Sequence, residues 1–134
     1  MDNLSRGNEG ALRALTKEIS KLKKPKRSLR VIHGDLADVD VLNAAFETKP
    51  KVDKVIHFAA VAYVGESMAD PNKYYKNVTS NTATLLQAMD RFKVNELIYS
   101  STCATYGNPD VLPITEKTPT VPINQYVKYK LFAE

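Results

Sequence analysis

Residues 54–60 read Lys54-Val55-Ile56-His57-Phe58-Ala59-Ala60, and residues 96–102 read Glu96-Leu97-Ile98-Tyr99-Ser100-Ser101-Thr102. Each is a short run of β-branched, aliphatic and aromatic residues that closes on small ones, the pattern of a buried strand. Residues 77–92 lie between them and repeat apolar side chains at helical spacing, with Leu85, Leu86, Met89 and Phe92 expected inward. A strand, a helix of this length and a second strand make a βα unit with a parallel sheet. Working outward, the same alternation continues. Leu29 to His33 reads as a strand closed by Gly34-Asp35, and a short helix follows with Val39, Leu42, Ala45 and Phe46 on one side. Near the start, Asn8 can cap a helix carrying Leu12, Leu15, Ile19 and Leu22, which Pro25 ends. A loop containing Gly65 precedes the long helix. Past Thr102, a loop with Pro109, Pro113, Pro119 and Pro122 leads to a last helix from about Gln125. The expected strands are therefore 29–33, 54–59 and 96–101.

The chain of 134 residues fits one domain, and its 43% hydrophobic and 25% charged residues are those of an ordinary globular protein. No apolar run approaches the ~18–20 residues of a membrane span. The first residues, MDNLSRGNEG, carry no apolar stretch of the kind that opens a secretory signal. The expectation is a soluble, cytoplasmic chain. A single cysteine, Cys103, excludes an intrachain disulfide and a cysteine-based zinc site. His33 and His57 stand alone in apolar runs and are expected in the core rather than on a metal, and no metal is expected. The net charge of +4 is concentrated at Lys17, Lys21, Lys23, Lys24, Lys26, Arg27 and Arg30, with Glu18 the only acid among them. No aromatic residue interleaves with these cations, as a stacking platform for nucleic acid requires. The run is expected to be a solvated helix end and loop, without a nucleic-acid partner.

Ligands of open parallel sheets bind at the carboxyl ends of the strands. Asp35, Ala59-Ala60 and Ser100-Ser101-Thr102 stand at those ends. Tyr126 and Lys130, four residues apart, share one face of the last helix. A nearby ammonium favours phenolate over phenol, which makes a tyrosine a usable base. A hydroxyl from Thr102 can bond the same substrate oxygen. The plainer reading of the pair is an amphipathic helix placing a tyrosine for packing and a lysine for solubility.

Five ordered blocks bear on that choice. They are Val55-Ile56-His57-Phe58-Ala59-Ala60, Val64-Gly65-Glu66-Ser67, Tyr74-Tyr75-Lys76-Asn77, Ser100-Ser101-Thr102-Cys103-Ala104-Thr105-Tyr106-Gly107, and Tyr126 with Lys130. In this order they resemble the extended short-chain dehydrogenase/reductase family and, within it, the NAD-dependent UDP-sugar 4-epimerases. AAVAYVGES and SSTCATYG resemble the plant-type UDP-arabinose 4-epimerases most, with UDP-glucose 4-epimerases as near neighbours. The resemblance implies Tyr126 as proton acceptor and Lys130 as the cation that lowers its pKa and holds the nicotinamide ribose. It implies Thr102 as the hydroxyl that bonds the sugar 4-oxygen. Asp35 and Leu36 would meet the adenine, Phe58, Ala59 and Ala60 would pass along the pyrophosphate and ribose, and Asn77 would contact NAD too. Simple core packing for Phe58 and Ala59, and a helix N-cap for Asn77, are the alternatives. The related 4,6-dehydratases carry acids directly after the threonine; Cys103 and Ala104 stand there, which favours an epimerase.

The family opens on a strand and a glycine-rich turn, G-x-x-G-x-x-G. Here the glycines are scattered at 7, 10, 34, 65 and 107. Met1 to Asn8 resembles instead the stretch after the family's second strand, which implies Asp2 as the acid on the adenosine ribose, with Asn3 beside it. The expected fold is thus a partial Rossmann-like, doubly wound parallel sheet over residues 1–134, lacking the first strands and the substrate domain. Gln125 and Val127 stand where the family usually has proline and glycine. The implied partners are a UDP-sugar and either a second copy of the chain or a full-length subunit with which a non-catalytic fragment pairs. A Golgi location follows if the chain is part of an anchored UDP-arabinose 4-epimerase.

Overall fold

The computed structural model describes residues 1–22 and 28–134. The expected Pro25 stop and the middle of the basic run fall at 23–27, outside the described residues. Helix α1 (Glu9–Lys21) starts where expected, with the Asn8 side chain accepting from the Gly10 N–H at 2.8 Å. It buries no residue, and Leu15 and Leu22 are about half exposed. Helix α2 (Val39–Phe46) is capped by Asp38, which accepts from Asp40 and Val41. Its Leu42 and Phe46 are buried, whereas Val39 is 44% exposed because it sits on the first turn, facing solvent rather than the core.

Strands β1 (Lys54–His57) and β2 (Glu96–Tyr99) form a two-stranded parallel ladder with Val55 opposite Leu97 and His57 opposite Tyr99. Both are shorter than expected. One further bond, from the Ser100 N–H to the His57 carbonyl at 3.1 Å, closes the ladder before the chains part. The strand expected at 29–33 is reduced to a single parallel bridge between Asp2 and His33. Asp2 donates to the Ile32 carbonyl, Gly34 donates back to the Asp2 carbonyl, and no further residue of the opening segment extends the ladder. With so little sheet around it His33 is exposed, not core, while His57 is 4% exposed and buried as expected.

The stretch expected as a loop around Gly65 is helix α3 (Val64–Ala69). A Cβ on Gly65 would meet no atom within 4 Å, so nothing there demands a turn glycine. The long helix starts earlier than expected. Helix α4 (Pro71–Tyr74) opens on a proline at its first turn with Asp70 accepting from Lys73; a π-helical stretch follows at Tyr75–Ser80, and helix α5 (Asn81–Phe92) completes the run. Lys93, in the left-handed region at φ 56°, ends it, and the Val94 N–H reaches back to the Met89 carbonyl at 2.9 Å. The core is Leu42, Phe46, Leu85, Ala88, Met89 and Val94, with Val55 and Leu97 of the sheet packed against it and the Phe46 and Phe92 rings stacked 5.4 Å apart. Leu86, expected inward, is 46% exposed, since it lies about 100° around the helix from the buried Leu85.

These neighbours make a direct test. Leu85→Ala is expected to cost about 2–5 kcal/mol of stability, and Leu86→Ala less than about 1 kcal/mol. Urea unfolding of both variants checks the difference.

Candidate active site

The ladder leaves Phe58 and Ser100 at the same level where the two strands end. After Thr102 the chain makes one 3-10 turn, Cys103–Tyr106, with the Thr102 hydroxyl oxygen accepting from the Ala104 N–H at 3.3 Å. That bond leaves the hydroxyl proton of Thr102 free to point outward. Gly107 then turns at φ +63°, where a Cβ would lie 2.2 Å from the Val121 carbonyl oxygen, so only glycine lets the later segment return this close. Helix α6 (Gln125–Phe132) follows, its Asn124 cap accepting from the Val127 N–H at 3.0 Å. The helix starts at Gln125 without a proline. Val127 is fully buried where α3, α4 and the π stretch meet α6.

Lys130 is 2% exposed. Its ammonium donates to the Ser100 carbonyl at 2.6 Å and lies 4.6 Å from the centre of the Tyr99 ring. Burial pushes the amine below its ordinary range. Tyr126, one turn earlier, is partly buried, with the Tyr74 ring edge-on at 6.3 Å. Burial pushes its phenol up. The ammonium is thus anchored on the strand end, and in this state desolvation, not a neighbouring cation, dominates the tyrosine. Ser101 donates to the Glu134 carboxylate beside Thr102.

A cleft of about 650 Å³ opens between the Asp2–His33 bridge and β1. Asp2, Asn3, Asp35, Leu36, Phe58, Ala59, Ala60 and Asn77 all line it, over an apolar floor that includes Leu42, Phe46 and Leu85. Thr102, Tyr126 and Lys130 do not line it; Lys130 reaches the end of β2 through the Ser100 carbonyl, and Thr102 follows that strand end. One Asp2 carboxylate oxygen accepts from the Leu4 N–H at 2.7 Å, and the other is unengaged among the described residues. Asp35 is more constrained. It accepts from Asn3, from the Ala37 N–H at 2.9 Å and from Asn81 at 3.0 Å. Asn77 caps no helix: it sits inside the π stretch and accepts the Val61 N–H at 2.7 Å, which pins the loop after β1.

Two members were not anticipated. Asn81 ties α5 to Asp35 and is 8% exposed; an amide four residues after Asn77, within an apolar helix, was the available signal. Glu66 accepts from Arg6 at 2.9 Å, Lys73 at 2.6 Å and the Tyr74 hydroxyl at 2.7 Å, and the Lys73 and Tyr74 hydrogen bonds hold its carboxyl below the usual range. With the Arg6 guanidinium 4.5 Å from the Tyr63 ring centre, this cluster fastens the opening segment to α3. No pattern of spacing foretold a contact across sixty residues. Among the described residues, no group of three His, Cys, Asp or Glu side chains is placed to hold a metal.

The sequence profile of the NAD dependent epimerase/dehydratase family matches residues 3–134. The chain is similar to UDP-arabinose 4-epimerase 1 of Arabidopsis thaliana, with 54% identity over all 134 residues, which is 31% of that protein's length. Among solved structures, it is similar to the UDP-Glc/GlcNAc 4-epimerase of Campylobacter jejuni, with a TM-score of 0.84, 39% identity, and 98% of this chain against 37% of that one. It is similar also to the UDP-glucose 4-epimerase of Brucella ovis in complex with NAD, with a TM-score of 0.82, 41% identity, and 98% of this chain against 36% of that one. The chain therefore spans about a third of the length of these relatives.

Two expectations follow from the geometry. Asn77→Ala leaves the Val61 N–H without its acceptor, at a cost of about 1–3 kcal/mol, and hydrogen exchange at that amide is expected to speed up accordingly. His57 is held down to about 4, by burial first and the Lys130 charge second. A histidine whose folded pKa lies below its unfolded value opposes folding wherever the unfolded chain takes the proton. Stability should therefore fall as pH drops from about 6.5 to about 4, and a His57→Gln variant should lose most of that slope in denaturant titrations across the window.

Proposed function

The chain belongs to the NAD dependent epimerase/dehydratase family, and from that premise we propose that it forms part of the NAD-binding domain of a UDP-sugar 4-epimerase. The observation that carries the reading is the adjacency of two surfaces. One is the cleft, with an acid, amides and small residues; the other is the end of β2, where Thr102 stands and Lys130 of α6 is anchored on the Ser100 carbonyl. The adenosine half of NAD fits the first surface. The free oxygen of Asp2 can take the ribose hydroxyls, Asp35 and Leu36 flank the base, and Ala59 and Ala60 let backbone come close. No glycine-rich turn among residues 1–134 serves the pyrophosphate, so affinity from this chain alone should be modest.

NAD, when bound, supplies the site that takes up and returns hydride at sugar carbon 4. The residues of this chain handle the proton and the oxygen. Tyr126 would take the proton of the 4-hydroxyl and return it to the same oxygen after the sugar has turned over. Thr102 bonds the same oxygen through its outward proton. One Lys130 proton is committed to the Ser100 carbonyl, which leaves two for the nicotinamide ribose and a fixed positive charge one helical turn from the phenol. Cys103 and Ala104, with no acid or base to offer, suit epimerisation better than loss of water.

The substrate pair we propose is UDP-arabinose and UDP-xylose, supported by 54% identity to a plant UDP-arabinose 4-epimerase along the whole chain. UDP-glucose and UDP-galactose are the alternative, supported by the two structural neighbours. Association with a second copy or a longer subunit is supported by Tyr75, Leu86 and Phe132, apolar side chains left exposed on the π stretch, α5 and α6.

The test is turnover of both sugar pairs by the purified chain with added NAD. The expected result is interconversion of the pentose pair that falls ~10²–10⁴-fold in Tyr126→Phe. Turnover that Tyr126→Phe leaves unchanged contradicts the reading, as does absence of turnover when the chain is mixed with a full-length subunit whose own catalytic tyrosine has been replaced.

A further inference from the structure

Lys130 is buried with no carboxylate in ion-pair reach among the described residues. An uncompensated ammonium in such a place ordinarily loses its proton. Two groups face it closely: the Ser100 carbonyl and the face of Tyr99 at 4.6 Å, inside the ~6 Å over which a ring's negative face attracts a cation. Tyr99 is itself fixed. It stands opposite His57 in the ladder, with the two rings 5.5 Å apart, and His57 cannot share the work because its proton would repel the ammonium. The other titratable groups near Tyr99 are the Tyr126 phenol and the Glu134 carboxylate, and both favour a protonated Tyr99. The Tyr99 hydroxyl is buried without a partner, so the hydroxyl does not explain why an aromatic ring occupies this position.

We propose that Tyr99 is a positioning residue of the proton-transfer site, its ring face serving as the counter-charge that keeps Lys130 protonated and held against the strand end. The proposal deepens the reading of Lys130 given above and rests on it for its functional meaning, though not for its test.

The test replaces Tyr99 by phenylalanine and by mono-, di- and trifluorinated phenylalanines, which keep the ring's shape while progressively emptying its negative face. The readout is the titration of Lys130, followed by NMR of its side-chain carbon and nitrogen in the full chain, without cofactor or sugar. Tyr99→Phe is expected to leave that titration in place. The fluorinated series is expected to lower it stepwise, by roughly half to one and a half pKa units at trifluorination. A flat series overturns the proposal, as does a Tyr99→Phe shift as large as that of the trifluorinated ring, which would assign the effect to the hydroxyl. Turnover measured on the same proteins separates the two ideas. A flat series with intact turnover removes only the role of Tyr99; a graded series without turnover removes only the epimerase reading.

Discussion

The four-residue parallel ladder between β1 and β2 is the constraint on which the rest of the structure depends. Its register places His57 against Tyr99 and delivers Phe58 and Ser100 at the same level. A slip of one residue would turn Tyr99 to the opposite face and carry the Lys130 anchor with it. The ladder has so few bonds that it needs backing, and α5 provides it through Leu85 and Met89 against Val55 and Leu97. The same helix run, through Asn77 and Asn81, fastens both the loop after β1 and the turn at Asp35. One hydrophobic layer therefore orients the cleft and the strand end that anchors Lys130 together.

The energetically costly element is the Lys130 ammonium. Charges are rarely buried without a partner, and desolvation alone disfavours them by several kcal/mol in an order-of-magnitude sense. A backbone carbonyl and a ring face are weaker partners than a carboxylate, and the lowered pKa of Lys130 is the visible consequence. Carboxylates that pair strongly lie elsewhere, at Glu66. The contrast separates two kinds of charge: Glu66 fastens segments together, while Lys130 is buried, with its amine pushed below the ordinary range by desolvation.

Much of this was legible in sequence. The βα alternation, the capped start of α1, the start of α6 near Gln125, and the inward Leu42, Phe46, Leu85 and Met89 follow from local pattern, because those elements are decided by near neighbours. The parts that were not legible depend on distant ones. The run at 29–33 has a strand's composition, yet a strand requires a partner, and the opening segment offers it one residue. Leu86 and Val39 belong to apolar repeats, but which edge of a stripe is covered depends on how the helix is rotated against the sheet. Residues 64–69 form a helix whose start is tied to Tyr74, which accepts from the Tyr63 N–H and donates to Glu66. In the candidate site, Asp2, Asn3, Asp35, Leu36, Phe58, Ala59, Ala60 and Asn77 line one cleft. Asn81 escaped because Asp35 lies forty-six positions away, and the Glu66 cluster because Arg6 lies sixty away.

The most direct check on this picture is an NMR titration of the full chain with NAD, following backbone amides and the Lys130 side chain together. If the cleft and the catalytic surface form one cofactor path, resonances at Asp2, Asp35, Ala59, Ala60 and Asn77 shift in a single saturable step with those of Lys130. Shifts confined to the exposed faces of the helices, or none at millimolar NAD, would contradict it.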